Sequence, residues 1–330
     1  MMPVSVGEKS SHERSNLQLD EPSGRCLRIG MINNMPDGAL KATERQFQNL
    51  LDSAANGVSV HLSLYALPEV PRSDSGRRHI SRFYAGIEKL WDSRLDGLIV
   101  TGADPQTANL EDEPYWNSLT KVIEWAEHNT RSTVWSCLAA HAVILHNHGI
   151  RRRRLADKRF GVFECARVGE HQLTAGVPSL FQVPHSRWND IPGNQLADCG
   201  YRVLSRDKDG GVDAFVKKGK SLSVFFQGHP EYEVNSLLLE YRRDVGLYLN
   251  RQRDTYPSLP DGYCDQDTTD LFTKLRERAQ LDRRKDLLDD FPTALVEKRI
   301  VNTWRPAAVQ LYVNWLAYVC AQKERLAVVT

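Results

Sequence analysis

Cys137 occupies a position that suits a nucleophile. It comes at the end of the strand-like STVWSC (132–137) and directly before the helical stretch LAAHAVILHNH (138–148). A cysteine on a strand-to-helix turn is held exposed, and the positive end of the helix dipole stabilises its thiolate. The backbone N–H of the next residue, Leu138, is then available to an oxyanion. Most cysteines after strands are small apolar core residues, so this position alone is weak evidence.

A histidine and a carboxylate follow another apolar run. In QGHPEYE (227–233), which comes after SLSVFF, His229 and Glu231 are two residues apart. In an extended segment both side chains point to the same side, so the carboxylate would orient the imidazole. The imidazole would then take a proton from an incoming nucleophile. A His-x-Glu pair is commonly an exposed ion pair, but with Cys137 it completes the three groups of a nucleophilic triad.

A third apolar run ends in TGADP (101–105). Gly102 has no side chain, which lets the backbone approach a bound molecule closely. The N–H groups of Gly102 and Ala103 are therefore candidate donors to an oxyanion. Taken by itself, the segment fits a tight turn after a buried strand equally well.

The elements that would position these groups alternate along the first half of the chain. Short apolar runs are separated by amphipathic stretches, as in CLRIGMIN (26–33), VSVHLSLYAL (58–67), LDGLIVTGA (95–103) and STVWSC (132–137). Strands separated by helices predict right-handed βαβ units and a parallel sheet. In such open α/β sheets, functional groups gather at the carboxyl ends of the strands. The sequence therefore predicts an α/β fold in which one sheet edge holds the reactive groups.

The second half of the chain is less regular. It contains candidate strands near 159–167, 201–205 and 221–227 and a helix over 235–252. KLRERAQLDRRKDLLDD is predicted to be an exposed helix, and RPAAVQLYVNWLAYVCAQ (305–322) an apolar helix that packs on the sheet or on a partner subunit. We predict a disordered tail over residues 1–24 and a catalytic domain over residues 25–252. Residues 253–330 are predicted to form a charged segment and a closing helix that packs on that domain.

Composition narrows the class of protein. Hydrophobic residues make up 41% of the chain, charged residues 26%, and the formal net charge is +1. Such a balance gives no overall field towards nucleic acid or an anionic membrane. No apolar run reaches the roughly 20 residues that cross a bilayer, and the N-terminus lacks the apolar segment of a secretory signal. Six widely spaced cysteines indicate reduced thiols, without metal-ligand spacing. We expect a cytoplasmic protein with no metal, nucleic-acid partner or membrane partner.

Several short motifs, in order over about residues 26–250, resemble the homoserine O-acyltransferases of methionine biosynthesis, the MetA family of O-succinyltransferases and O-acetyltransferases. The motifs are INNMPDGALKATERQF (32–47), RFYAGIEKLWDSRLDGLIVTGA (82–103), PYW (114–116), WSCLAAHAVILHNHGI (135–150), KRFGVFE (158–164), VPHSRWND (183–190), GHPEYE (228–233) and EYRRDV (240–245). The resemblance implies a flavodoxin-like parallel sheet of the class I glutamine amidotransferase type, flanked by helices, with a helical C-terminal extension. It also implies a homodimer.

The resemblance implies a two-step acyl transfer. Cys137 would receive the acyl group from acyl-CoA as a thioester, and His229, oriented by Glu231, would act as general base on the hydroxyl of L-homoserine. Acyl-CoA is a co-substrate, and no bound cofactor is implied.

Three further positions match family residues that bind the substrate. They are Lys158 in KRFGVF, Ser186 in PHSR and Arg243 in YRRD. A guanidinium binds a carboxylate through two parallel hydrogen bonds, which suits Arg243 to the carboxylate of the amino acid. Its position in the sequence alone fits an exposed helix residue as well as a binding residue.

The position that separates acetyl from succinyl users in the family is Gln106 here. The family has glycine for succinyl and glutamate for acetyl. Glutamine fills nearly the volume of glutamate, which favours acetyl, yet it lacks the charge that would repel a succinyl carboxylate. Because a pocket separates such groups by only about 1–3 kcal/mol, the donor stays open between acetyl-CoA and succinyl-CoA.

Other functions remain as alternatives. L-serine or a related hydroxy-amino acid is an alternative acceptor, since one methylene is a small difference. An amidotransferase-like hydrolase would use the same triad, but such enzymes typically show G-x-C-x-G where this chain has W-S-C-L-A. A binding protein that had lost activity would be expected to lack one triad residue. The arginine run 151–154 fits an exposed loop better than a site for the phosphates of coenzyme A.

Overall fold

The computed structural model describes residues 4–6 and 26–327. Its strands are β1 (Val4–Val6), β2 (Cys26–Ile32), β3 (Ser59–Tyr65), β4 (Gly97–Val100), β5 (Ser132–Ser136), β6 (Arg153–Arg167), β7 (Leu180–Asp190), β8 (Arg202–Val203), β9 (Ser205–Asp207), β10 (Ala214–Lys218) and β11 (Leu222–Phe226). Its α-helices are α1 (Asp37–Ala54), α2 (Asp74–Phe83), α3 (Glu88–Trp91), α4 (Trp116–Asn129), α5 (Leu138–His148), α6 (Gly193–Asp198), α7 (Ser236–Leu249), α8 (Gln266–Leu281), α9 (Thr293–Val296) and α10 (Arg305–Ala327). None of these helices is both long and apolar enough to cross a membrane.

A mostly parallel sheet forms the centre of the fold. Its strand order is β1-β3-β2-β4-β5-β11-β10-β8. The strands from β1 to β11 in this order run parallel, and β10 and β8 are antiparallel additions at one edge. The predicted α/β fold with a parallel sheet flanked by helices is thus confirmed. Because β4, β5 and β11 are neighbours, the segments that follow them meet at the same edge.

Helices cover both faces of this sheet. Buried residues of α1 and α10 pack on one face, and those of α4 and α5 pack on the other. Gly97 makes room for α10, because a Cβ there would lie 3.1 Å from the Trp315 ring. The Trp315 indole N–H donates to Ser132 Oγ at 2.9 Å. The closing helix therefore packs on the sheet, one of the two positions expected for it.

A smaller antiparallel sheet, ordered β7-β6-β9, lies beside the main one. Strand β7 was not predicted from the sequence, in which Pro184 argues against a regular strand because proline has no N–H to donate. In β6 the pairing jumps from Arg154 opposite Asn189 to Arg159 opposite Arg187. The residues between form a bulge, which brings Lys158 out of the regular pairing.

The C-terminal part is more buried than its charge suggests. The prediction of an exposed helix over KLRERAQLDRRKDLLDD is wrong in the length of the helix and in its exposure. The helix α8 ends at Leu281, and the chain then forms only a short 3-10 turn at Lys285–Leu288. One face of α8 is buried, with Phe272 packed edge-on against Tyr241 of α7 at 5.0 Å between ring centroids. Apolar residues at helical spacing create this face among the charges. The domain boundary at 252 stays a prediction.

The predicted N-terminal tail lies mostly outside the described residues. Within it, Val4–Val6 form β1, parallel to β3, instead of the expected disorder. Val4 is buried, and its N–H donates to Asp52 Oδ1 at 3.0 Å. An apolar valine and an available strand edge explain the difference.

Candidate active site

Cys137 lies at the tight turn between β5 and α5. Its backbone has φ 52° and ψ −113°, a conformation that non-glycine residues rarely adopt and that commonly marks functional sites. Its N–H donates to Phe226 O, at the end of β11, at 2.7 Å. This bond ties the cysteine to the strand that leads to the histidine.

His229 and Glu231 lie in the segment after β11. The His229 N–H donates to Pro184 O at 2.8 Å, and its Nδ1 lies 2.8 Å from Glu231 Oε1. The imidazole stacks on the Tyr232 ring, with 4.3 Å between centroids. Both His229 and Glu231 are buried. The carboxylate therefore fixes the ring, with Nδ1 turned towards Glu231.

The charges around His229 favour an imidazolium. Burial alone would lower the pKa of His229, but the charges of Glu231 and then Cys137, together with hydrogen bonds to both side chains, raise that pKa well above its usual value. The histidine thus pairs with the Glu231 carboxylate and lies within electrostatic range of Cys137. A thiolate beside an imidazolium combines a nucleophile with a proton donor for the leaving group.

The predicted oxyanion donors lie together at this edge. A Cβ on Gly102 would lie 3.1 Å from Leu138 N, so a larger residue would crowd the start of α5. The Asn34 N–H donates to Thr101 Oγ1 at 2.9 Å, and this hydroxyl donates to Gly102 O at 3.0 Å. The turn that carries Gly102 and Ala103 is therefore anchored beside the Leu138 N–H.

A second polar cluster lies beyond Tyr232. The hydroxyls of Tyr232 and Ser186 both donate to the carboxylate of Glu240. Lys158 Nζ lies 3.7 Å from Glu240 Oε2 and 3.2 Å from Asp244 Oδ2. The structure thus links two predicted binding residues, Lys158 and Ser186, to His229 through Tyr232. The sequence analysis did not single out Glu240, although it opens the motif EYRRDV.

Arg243 and Gln106 are more exposed. Arg243 donates from Nε and Nη2 to Asp244 Oδ1 at 3.0 and 2.9 Å, and its side chain is 57% exposed. Gln106 is exposed, and its Nε2 donates to Asp104 O at 3.1 Å, within its own turn. Arg243 therefore joins the polar cluster through Asp244, whereas Gln106 lies on a surface loop. A cavity of about 240 Å³ adjoins the cluster, between Lys158, Asp244 and Arg253.

A buried group of potential metal ligands lies behind His229. Ligand atoms of Cys165, His185 and Asp213 fall within 4.8 Å of one another. The Arg187 Nε–H donates to His185 Nδ1 at 3.2 Å, so in a neutral ring the proton is on Nε2, which faces Asp213 Oδ1 at 3.5 Å. Burial, followed by the charges of Arg187 and a second arginine, lowers the pKa of His185 well below its usual value. A protonated nitrogen and nearby cations suit a hydrogen-bonded support better than a metal site.

Comparisons with known proteins identify relatives over most of the chain. The family model described as homoserine O-succinyltransferase matches residues 14–326. A homoserine O-succinyltransferase of Rhodopseudomonas palustris is 45% identical over 89% of this chain and 88% of its own length. Those of Methylorubrum extorquens and Bradyrhizobium japonicum are 44% and 43% identical, over 91% and 88% of this chain and 89% and 90% of their own lengths.

Solved structures with a similar arrangement include two glutamine amidotransferases. The protein from Thermotoga maritima has a TM-score of 0.44 and 13% identity, over 82% of this chain and 97% of its own. The one from Methylobacillus flagellatus has a TM-score of 0.47 and 14% identity, over 90% of this chain and 96% of its own.

Proposed function

The chain belongs to the homoserine O-succinyltransferase family, and we propose that it transfers a succinyl group from succinyl-CoA to the hydroxyl of L-homoserine in methionine biosynthesis. The observation that carries the proposal is the buried His229–Glu231 pair, with Cys137 within electrostatic range of the imidazole, in a chain whose relatives are named homoserine O-succinyltransferases. We further propose that the protein works in the cytoplasm as a homodimer.

In the first half-reaction, the Cys137 thiolate attacks the carbonyl carbon of the acyl thioester and forms a carbon–sulfur bond. The carbonyl electron pair moves to oxygen, where the N–H groups of Gly102, Ala103 and Leu138 would stabilise the charge. When this intermediate collapses, the bond to the sulfur of coenzyme A breaks. The leaving thiolate takes the proton from His229, so the acylated enzyme has a neutral imidazole.

In the second half-reaction, the homoserine hydroxyl gives its proton to His229 while its oxygen attacks the thioester on Cys137. The carbon–sulfur bond breaks, and O-succinylhomoserine leaves. The enzyme regains its thiolate and imidazolium, and the raised pKa of His229 favours the protonated ring. Glu231 stabilises the imidazolium at both ends of this cycle.

The amino-acid substrate is proposed to bind at the polar cluster beyond Tyr232. Lys158 and Arg243 offer cations to its carboxylate. Glu240 lies beside Ser186 and Lys158 and offers an acceptor to its ammonium group. Because Tyr232 joins this cluster to the His229 ring, the hydroxyl at the end of the side chain would be directed towards the general base.

For the acyl donor, we favour succinyl-CoA over acetyl-CoA. The volume of Gln106 favours acetyl only if its side chain fills the acyl pocket. The side chain is exposed and hydrogen-bonded to Asp104 O within its own turn, which supports room for the longer group. The names of the relatives support the same donor.

The test is the release of coenzyme A when purified protein is mixed with succinyl-CoA or acetyl-CoA and L-homoserine. We expect homoserine-dependent release that is faster with succinyl-CoA, absent in Cys137→Ala and retained in Cys199→Ala, a cysteine at the end of α6. Release with L-serine but not with L-homoserine would replace the acceptor. No release with any of these pairs, from folded protein, would contradict the proposed function.

A further inference from the structure

The arginine run that follows α5 differs in its contacts from one residue to the next. Arg151 pairs with Glu111 at 2.8 Å and has a side chain 63% exposed. Arg153 and Arg154 are exposed too, the first 3.6 Å from Asp190 and the second stacked over a tryptophan ring. These three are exposed, as expected from the sequence for the run, although Arg153 and Arg154 begin strand β6 and do not lie in a loop.

Arg152 is the exception. It is half-buried, and its Nη2 donates to Ala108 O at 3.3 Å, in the loop that carries Gln106. Its Nη1 is buried and has no hydrogen-bond partner within residues 4–6 and 26–327. An unpaired buried N–H on a charged group is costly, so its presence points to a partner that arrives with a ligand.

The surroundings of Arg152 are polar and incompletely paired. Glu113 is 3% exposed, and its Oε1 accepts from the Thr107 N–H at 2.7 Å and from the Thr107 hydroxyl at 2.8 Å. Its Oε2 is buried and has no partner in the described part of the chain. Tyr115 is 2% exposed, and its hydroxyl also lacks a partner among the residues that the structure describes. This cluster therefore contains at least two donors, the Nη1–H of Arg152 and the Tyr115 O–H, that a bound acceptor could satisfy.

The same cluster is within electrostatic range of the nucleophile. Burial lowers the pKa of Arg152, and the charges of Tyr115, Glu113 and Cys137 oppose that decrease. The guanidinium is thus within electrostatic reach of Cys137. An acyl group on Cys137 would have its far end near the loop between β4 and α4, where Arg152 contacts Ala108.

We propose that Arg152 binds the free carboxylate of the succinyl group while that group is on Cys137, and so selects succinyl over uncharged acyl groups. This inference rests on the proposed function. A carboxylate is the one group that distinguishes a succinyl chain from a butyryl chain of equal length, and guanidinium N–H groups are its preferred donors. Because Glu113 balances the charge of Arg152, recognition depends on the unpaired donors rather than on a net positive field.

The experiment compares succinyl-CoA with butyryl-CoA, which has a methyl group in place of the carboxylate. We would measure kcat/KM for both donors, at saturating L-homoserine, in the wild type, Arg152→Gln, Arg152→Lys and Arg151→Gln. Arg152→Gln should lower the succinyl-to-butyryl ratio by about 10- to 100-fold, the usual effect of removing a hydrogen bond to a charged group. Arg152→Lys should restore part of the ratio, and the exposed Arg151→Gln should leave it within about twofold.

The outcomes separate this inference from the proposed function. A wild type that uses succinyl-CoA, with an unchanged ratio in Arg152→Gln, would overturn the inference alone. A wild type that releases coenzyme A with neither succinyl-CoA nor acetyl-CoA would overturn the proposed function itself. If thermal unfolding shows that Arg152→Gln is not folded, the test rests on Arg152→Lys. A succinyl-to-butyryl ratio of kcat/KM that is lowered several-fold in this variant supports the inference, and a ratio equal to that of the wild type overturns it.

Discussion

Replacing Glu231 by glutamine tests how the carboxylate acts on His229. The substitution keeps the size of the side chain and removes its charge. In the structure, Glu231 Oε1 lies 2.8 Å from His229 Nδ1, and both residues are at least 95% buried. Burial lowers the pKa of His229, and the Glu231 charge is the largest of the effects that raise it. Without that charge, the pKa of His229 should fall, and less imidazolium should remain at neutral pH.

The size of the effect follows from the burial of the pair. Breaking a buried ion pair costs about 3–5 kcal/mol, and each 1.4 kcal/mol corresponds to about a tenfold change in rate. If this cost falls on the transition states, which retain the imidazolium, Glu231→Gln should lower kcat/KM by about 10²–10⁴-fold. Alkylation of Cys137 by iodoacetamide at pH 7 should also slow, because less imidazolium is present to stabilise the thiolate.

The matched control is Glu233→Gln, two residues further along the same segment. Glu233 pairs with Arg45 at 2.9 Å on the surface and does not contact His229, so kcat/KM should stay within about threefold of the wild type. Coenzyme A release and circular dichroism would be measured on both variants. A folded Glu231→Gln protein with activity close to that of Glu233→Gln would refute the assignment of the carboxylate.

Three further predictions concern the oxyanion turn, acid stability and the C-terminal core. Gly102→Ala places a Cβ 3.1 Å from Leu138 N and should lower kcat by about 10- to 10³-fold with little change in KM. Steady-state kinetics would measure both constants, and an unchanged kcat would exclude the N–H groups of this turn as oxyanion donors. Burial, followed by nearby arginines, lowers the pKa of His141 to about 3. Between pH values of about 3 and about 6.5, His141 binds a proton in the unfolded chain but not in the folded protein. The free energy of unfolding therefore falls by up to about 1.4 kcal/mol for each unit by which the pH decreases. Urea unfolding at several pH values should therefore show a shallower decline in His141→Gln, and an unchanged one in the exposed His128→Gln; equal slopes in all three proteins would contradict this. Phe272→Ala should lower the free energy of unfolding by about 3–5 kcal/mol, because this side chain of α8 is fully buried against α7. A loss below about 1 kcal/mol in urea unfolding would mean that α8 is not part of the core.

The parallel sheet and the grouping of the triad were predictable because they follow from local patterns. Apolar runs alternate with helical stretches, and the neighbouring strands β4, β5 and β11 bring their carboxyl ends to one edge. Cys137 directly follows β5, and His229 is three residues beyond the end of β11. The sequence could therefore predict that they meet, although it could not predict the 52° φ of Cys137 or the backbone bond to Phe226.

Contacts between distant segments were less predictable. Ser186 belongs to β7, and this strand was not predicted because it contains Pro184. Glu240 resembles any exposed helix carboxylate until the fold brings Ser186 and Tyr232 to it. Arg152 is one of four identical neighbours, and only tertiary burial distinguishes it from the other three. Such residues need the packed structure because their partners are far apart in the chain.

The most direct test of the account is the mass of the intact protein after it is mixed with succinyl-CoA in the absence of L-homoserine. We predict a mass increase of one succinyl group on Cys137, absent in Cys137→Ala, and its loss on addition of L-homoserine with formation of O-succinylhomoserine. Turnover without any adduct on Cys137 under rapid quenching, or an adduct that L-homoserine does not remove, would contradict transfer through this cysteine.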